Sequence, residues 1–193
     1  MTPQKSKRCS MLSLGSASRS PALNGREHGM NEYRRYLAGN LAPVAIEFFV
    51  TFSRFEFALK RGDYLLGQEG NKAGPDWNGF GGDLGETFFK NMRAAKEADI
   101  FFRKPPRRLT VKVGGGVEFT DQAPIVNAQK LFESVGLVRN NLFHGEKAYI
   151  EHRDEELLTA SLFVLDSAFA AASQREEMRG FCQAFFHAPI NEH

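Results

Sequence analysis

Apolar positions recur with helical spacing in four stretches of this chain. Ala45, Phe48, Phe49, Phe52, Phe55 and Leu59 fall on one face of a helix over about 42–60. Asn40 is placed to cap that helix, Pro43 suits its first turn and Arg61-Gly62-Asp63 ends it. Leu84, Phe88, Met92 and Ala95 predict a second helix over about 84–102, with Asp83 and Glu86 at capping-box spacing and Pro105-Pro106 barring continuation. Ile125, Ala128, Leu131, Phe132, Val135, Val138 and Leu142 predict a third. It starts near Ala123–Pro124 with Asp121 as cap and stops near Phe143–Gly145. Leu158, Leu162, Leu165 and Phe169 mark a fourth over about 153–173, with Asp154, Glu155 and Glu156 in its first turn, and a short final helix is expected at about 175–187.

Two stretches break this rhythm. Residues 62–82 hold Gly62, Gly67, Gly70, Gly74-Pro75, Gly79 and Gly81-Gly82, and read as a loop, with room for a short turn of helix, that Trp77 and Phe80 pin to the core. Between the second and third helices, Arg107–Val113 and Val117–Phe119 alternate around Gly114–Gly116, predicting a small hairpin or extended arm. The expected fold is therefore mostly α: a bundle of four to five helices with a small arm inserted before the third.

Composition sharpens this. The 193 residues suit one domain, and 18 Phe against 4 Tyr and 1 Trp predict a Phe-rich core. Residues 1–29 are rich in Ser, Gly and basic side chains and read as a disordered tail, with Met30 the expected natural start and 30–193 a single helical domain. The tail carries Lys5, Lys7, Arg8, Arg19 and Arg26 against Glu27, which leaves 20 basic and 22 acidic residues beyond it. Any binding of nucleic acid must then be local, and the local candidate is Arg103, Lys104, Arg107, Arg108 and Lys112, five cations in ten residues without an acid. A solvated loop would look the same.

No apolar run approaches the ~20 residues that span a bilayer, and Cys9 and Cys182 are too few and too far apart for a disulfide framework, so a cytoplasmic protein is expected. Neither cysteine has metal-ligand spacing, no His-Glu-x-x-His occurs, and the glycine runs lack a following Lys-Ser/Thr, so neither metal nor cofactor is expected.

The chemistry concentrates in Arg139-Asn140-Asn141-Leu142-Phe143-His144-Gly145. An arginine can hold a phosphate by paired hydrogen bonds, and a histidine can take or give a proton near neutral pH. Five residues apart on an ideal helix is about 140° around the axis at ~100° per residue, so His144 must leave helical geometry, as Gly145 allows, while Arg139 reaches back. A structural reading stays open for each: Arg139 snorkelling beside the core with Glu56, and His144 interacting with a helix C-terminus.

This segment resembles the Arg-x4-6-His motif of the HEPN superfamily, with the polar residue after the arginine and the placement at the end of a main helix. The resemblance covers roughly residues 42–175. It implies an α-helical bundle and a metal-independent endoribonuclease that acts on RNA as a homodimer, in toxin–antitoxin, phage-defence or stress settings, with an antitoxin or regulatory protein as a further partner. It assigns catalysis to Arg139 and His144 with Asn140 as the accessory polar residue; Asn141 and Glu56 are neighbours. His152 and Arg153 are candidates to line the same mouth. The alternative is a catalytically silent helical module that binds a protein or nucleotide. The glycine-rich stretch and the basic arm exceed a minimal bundle.

Overall fold

In the computed structural model, the residues described are Glu32, 42–143 and 152–187. Asn40, His144, Gly145 and the 1–29 segment lie outside them. The elements below belong to the unit Gly39–His193.

Helix α1, Pro43–Arg61, begins with Pro43 in its first turn as expected, but its N-cap is Ala42 and no side chain caps it. Lys60 and Arg61 place positive charge in the last turn, where the helix dipole favours it. Phe48, Phe52, Phe55 and Leu59 are buried as the period predicts. Phe49 departs from it at 44% exposure, because the buried face turns toward Ala58 instead. Gly62 then stops the helix for a tertiary reason. A Cβ there would lie 2.7 Å from the backbone nitrogen of Phe181, so the close approach of the last helix, α6 (Arg179–Phe186), requires glycine.

The segment 62–82 is a loop as far as Asp76, and Trp77 and Phe80 pin it to the core, but a full helix rather than a short turn begins at Trp77. After a two-residue antiparallel ladder, β1 (Leu65–Leu66) with β2 (Gly74–Pro75), helix α2 starts at Trp77 and runs to Ala94. Its cap is Asp76, whose carboxylate accepts from the Gly79 N–H at 2.8 Å. Asp83 and Glu86 form no capping box. Asp83 accepts from the Tyr64 hydroxyl at 2.8 Å, and Glu86 pairs with Lys90 at 2.7 Å. The helix breaks at Gly85 (φ 69°, ψ −165°). Beside this break, Arg175 donates to the carbonyls of Asp83 and Leu84, 2.9 Å to Leu84. The predicted stripe is right in phase, since Leu84, Phe88 and Met92 are buried. The helix nevertheless ends at Ala94; a 3-10 turn (Lys96–Ala98) and a short helix α3 (Asp99–Arg103) complete the region expected to be continuous.

The arm is a hairpin. Strand β3 (Arg108–Val111) pairs antiparallel with β4 (Val117–Thr120), with Arg108 opposite Thr120 and Val111 opposite Val117. Gly114, Gly115 and Gly116 all adopt positive φ at the turn, which explains the run of glycines. Helix α4, Ala128–Phe143, starts later than expected: Asn127, not Asp121, is the cap, accepting from the Lys130 N–H at 2.9 Å. The preceding residues stay extended beside the hairpin, where Gln122 accepts from Arg108 at 3.4 Å.

Helix α5, His152–Ala172, is packed by every other helix of the unit. Its buried set (Leu157, Leu158, Ser161, Val164, Leu165, Ala168) therefore exceeds one stripe, and Leu162 and Phe169 lie at the edge of the core. The chain closes with a 3-10 turn (Glu176–Met178) and α6. The fold is mostly α, a helical bundle with, among the described residues, two small two-stranded sheets. Phenylalanine dominates its centre. Phe80 meets Phe55, Phe132 and Phe181 at ring separations of 6.3, 5.4 and 4.8 Å, and Trp77 stacks on Phe52 and Phe132 at 5.1 and 5.5 Å. No single helix among the described residues is long and apolar enough to cross a membrane.

Candidate functional site

Helix α4 carries the Arg139 segment because its apolar period anchors it. Leu131, Phe132, Val135 and Val138 are buried, and α4 packs most closely on α2. The approach is tight at Gly81, where a Cβ would stand 3.1 Å from the Gln129 backbone and from the Phe132 ring. This crossing fixes the pitch of α4 and so the direction in which its last turn points. Val138 faces the core, which leaves Arg139 partly buried and Asn140 exposed. The Arg139 guanidinium donates to the Asn140 side-chain carbonyl at 3.2 Å. His144 lies outside the described residues.

Asn141 turns toward the arm. Its amide nitrogen donates to the backbone carbonyl of Arg107 at 2.9 Å, joining the end of α4 to the root of the hairpin. Arg153, in the first turn of α5, donates from the other side to the carbonyls of Pro105 at 2.8 Å and Lys104 at 3.4 Å. The sequence marked Arg153 only as a possible neighbour of the motif, and nothing local in it signals this contact across 48 residues.

The five cations of the arm are not equivalent. Arg103 pairs with Asp99 at 3.0 Å and Arg108 with Glu133 at 2.9 Å, so acids from α3 and α4 neutralise two of them. The Glu133 carboxyl sits below its usual range, chiefly because Lys130 donates to it at 2.6 Å and then because Arg108 adds its charge against a small burial penalty. Lys104, Arg107 and Lys112 are exposed and have no ion pair among the described residues. The Arg107 guanidinium lies over the Phe119 ring, 5.8 Å from its centre.

Glu56 is partly buried on α1, and no ion pair joins it to Arg139 among the described residues. His152 is 87% exposed, with Nδ1 3.7 Å from Glu156. These two line an open groove of about 370 Å³ with Glu97, Asp99, Arg103 and Glu155. The described residues hold no cluster of three or more His, Cys, Asp or Glu fit to bind a metal.

The last turn of α4 thus presents an arginine with an adjacent amide, and Asn141 of the same turn ties α4 to the root of an arm that carries three exposed cations. No family model, no curated protein and no solved structure matches the chain.

Proposed function

We propose that the protein is a metal-independent endoribonuclease of HEPN type. The observation that supports this reading is the Asn141–Arg107 hydrogen bond, which ties the root of a basic arm to the last turn of α4, the turn that carries Arg139 and Asn140. In this reading a histidine, His144, abstracts the proton of a ribose 2′-hydroxyl, and the 2′-oxygen attacks the adjacent phosphorus. The bond from phosphorus to the 5′-oxygen breaks, that oxygen takes up a proton, and the products are a 2′,3′-cyclic phosphate and a 5′-hydroxyl. Arg139 neutralises the charge that grows on the phosphorane oxygens. Asn140 gives its carbonyl oxygen to Arg139, which leaves its amide hydrogens for a phosphate oxygen. A homodimer supplies a second histidine, so one acts as base and the other as acid. A cytoplasmic role in defence or growth control, restrained by an antitoxin or regulatory protein, follows from the same reading.

The test is cleavage of a mixed RNA pool by the full chain in excess EDTA, beside Arg139→Ala and His144→Ala. The proposal expects cutting that both substitutions abolish. Folded wild-type protein that leaves every RNA intact, or variants that cut as well as wild type, would overturn it.

A further inference from the structure

We infer that Asn141 and Arg153 are positioning residues that clamp the root of the basic arm, residues 104–107, and so set how its cations meet a polyanionic strand. The inference builds on the proposed function in taking that strand to be RNA. Three carbonyls within four residues, those of Lys104, Pro105 and Arg107, accept from these two side chains. Pro105 and Pro106 have no N–H, so this stretch cannot build a regular ladder or helix, and its carbonyls need side chains or water. Pro106 is buried, which anchors the stretch from beneath.

Arg153 sits where a cation is unfavourable. It lies in the first turn of α5, whose dipole repels positive charge, and its Nε is buried with no hydrogen-bond partner. Neither feature stabilises α5. The return is the charged donor on Pro105 and Lys104, stronger than a neutral one. The two clamp residues flank residues 144–151 in the chain, Asn141 before and Arg153 after. With its carbonyl held by Asn141, Arg107 has its guanidinium over Phe119, and the Lys104 backbone is held by Arg153. A strand meeting these cations loses less entropy than on a mobile loop, because the arm is already ordered.

The experiment compares the full chain with Asn141→Ala, Arg153→Met, the double variant and Arg153→Lys. Binding is read by anisotropy on a fluorescent 2′-O-methyl oligonucleotide, which cannot be cut at the 2′-oxygen, across a salt series. Steady-state cleavage is read on the matching RNA, and thermal melting reports folding. The double variant is expected to bind at least about tenfold more weakly and to lose about one to two units of salt slope, at ~0.7 per phosphate contact on a single strand. KM rises by the same factor while kcat stays near wild type, and Arg153→Lys, which keeps one donor, recovers part of the loss. Asn141→Ala alone serves as the readout if the double variant does not fold. Unchanged affinity and slope in a folded variant would overturn the clamp while leaving the ribonuclease reading standing. Wild-type protein that binds the oligonucleotide, loses binding in the variants and cuts no RNA would support the clamp and overturn the ribonuclease. Wild-type protein that does not bind would overturn both.

Discussion

Arg175 donates its guanidinium hydrogens to the carbonyl of Leu84 at 2.9 Å, across 91 residues of chain. Together with its bond to the Asp83 carbonyl, this covers the break that Gly85 makes in α2. The relationship ties the discontinuity in the middle of α2 to the turn after α5: the two carbonyls before the break are met by one planar donor.

Arg175→Met should therefore remove a charged donor from the Leu84 carbonyl and cost about 1–3 kcal/mol. Gly85→Ala should cost a similar amount, about 1–3 kcal/mol, because φ 69° with ψ −165° is a region reserved for glycine. Chemical denaturation of each variant measures both. A Gly85→Ala protein as stable as wild type would mean that α2 can run unbroken.

Gly81→Val tests the α2–α4 crossing. The added side chain meets the Gln129 backbone at 3.1 Å, which cannot swing aside as a flexible tip would. A loss of about 1–3 kcal/mol is expected from overpacking, read as a fall in denaturation midpoint. Because α4 must shift to relieve it, RNA cleavage should fall as well, even at temperatures where the variant is fully folded.

Asp166 on α5 is pushed above its ordinary value by burial and then by the like charge of Glu47 on α1. A raised folded value means that the native state binds the proton more tightly than the unfolded chain. The contribution of Asp166 to stability is then fully present below the ordinary aspartate value of 3.8 and is lost as pH climbs through the raised folded one. Asp166→Asn should thus raise the melting temperature modestly at neutral pH and flatten its dependence on pH above 3.8. Equal melting temperatures of the two proteins across this window would contradict the assignment.

The arm's charge is set by pairing rather than by counting. Replacing Lys104, Arg107 and Lys112 with Gln should reduce the salt slope of RNA binding by about 2, at ~0.7 per phosphate contact. Replacing Arg103 and Arg108 should change it less, because Asp99 and Glu133 already hold them. The salt dependence of oligonucleotide binding checks both. Equal effects from the two sets would mean that the ion pairs open on binding.

Much of the fold was legible in the sequence where one helical face carries the burial. The stripes of α1, α2 and α4 are in phase, and the glycine turn of the β3–β4 hairpin lies where alternation on both sides places it. The failures have a common cause in tertiary contact. Gly79, Gly81 and Gly82 argue against a helix by propensity, yet α2 runs through them because Gly81 permits the approach of α4. The caps Asp76 and Asn127 had a local signal, an acid after Pro75 and an Asn ahead of the Leu131–Phe132 pair, but Asp83 and Asp121 offered the same chemistry nearby. Of the candidate site, the sequence supplied Arg139, Asn140 and the basic run. It did not supply the contacts of Asn141 and Arg153 with the arm, nor the acids that neutralise Arg103 and Arg108, because contacts between distant segments leave no period.

The most direct test of the ribonuclease reading is the fate of one phosphodiester. A defined RNA that the protein cuts is remade with a single 2′-deoxy sugar at the cut site, and both versions are incubated with the full chain in excess EDTA. The reading predicts a 2′,3′-cyclic phosphate and a 5′-hydroxyl from the all-ribose strand and no cut at the substituted position. Continued cutting of the 2′-deoxy strand at that position, or 3′-hydroxyl and 5′-phosphate ends from either strand, would contradict it.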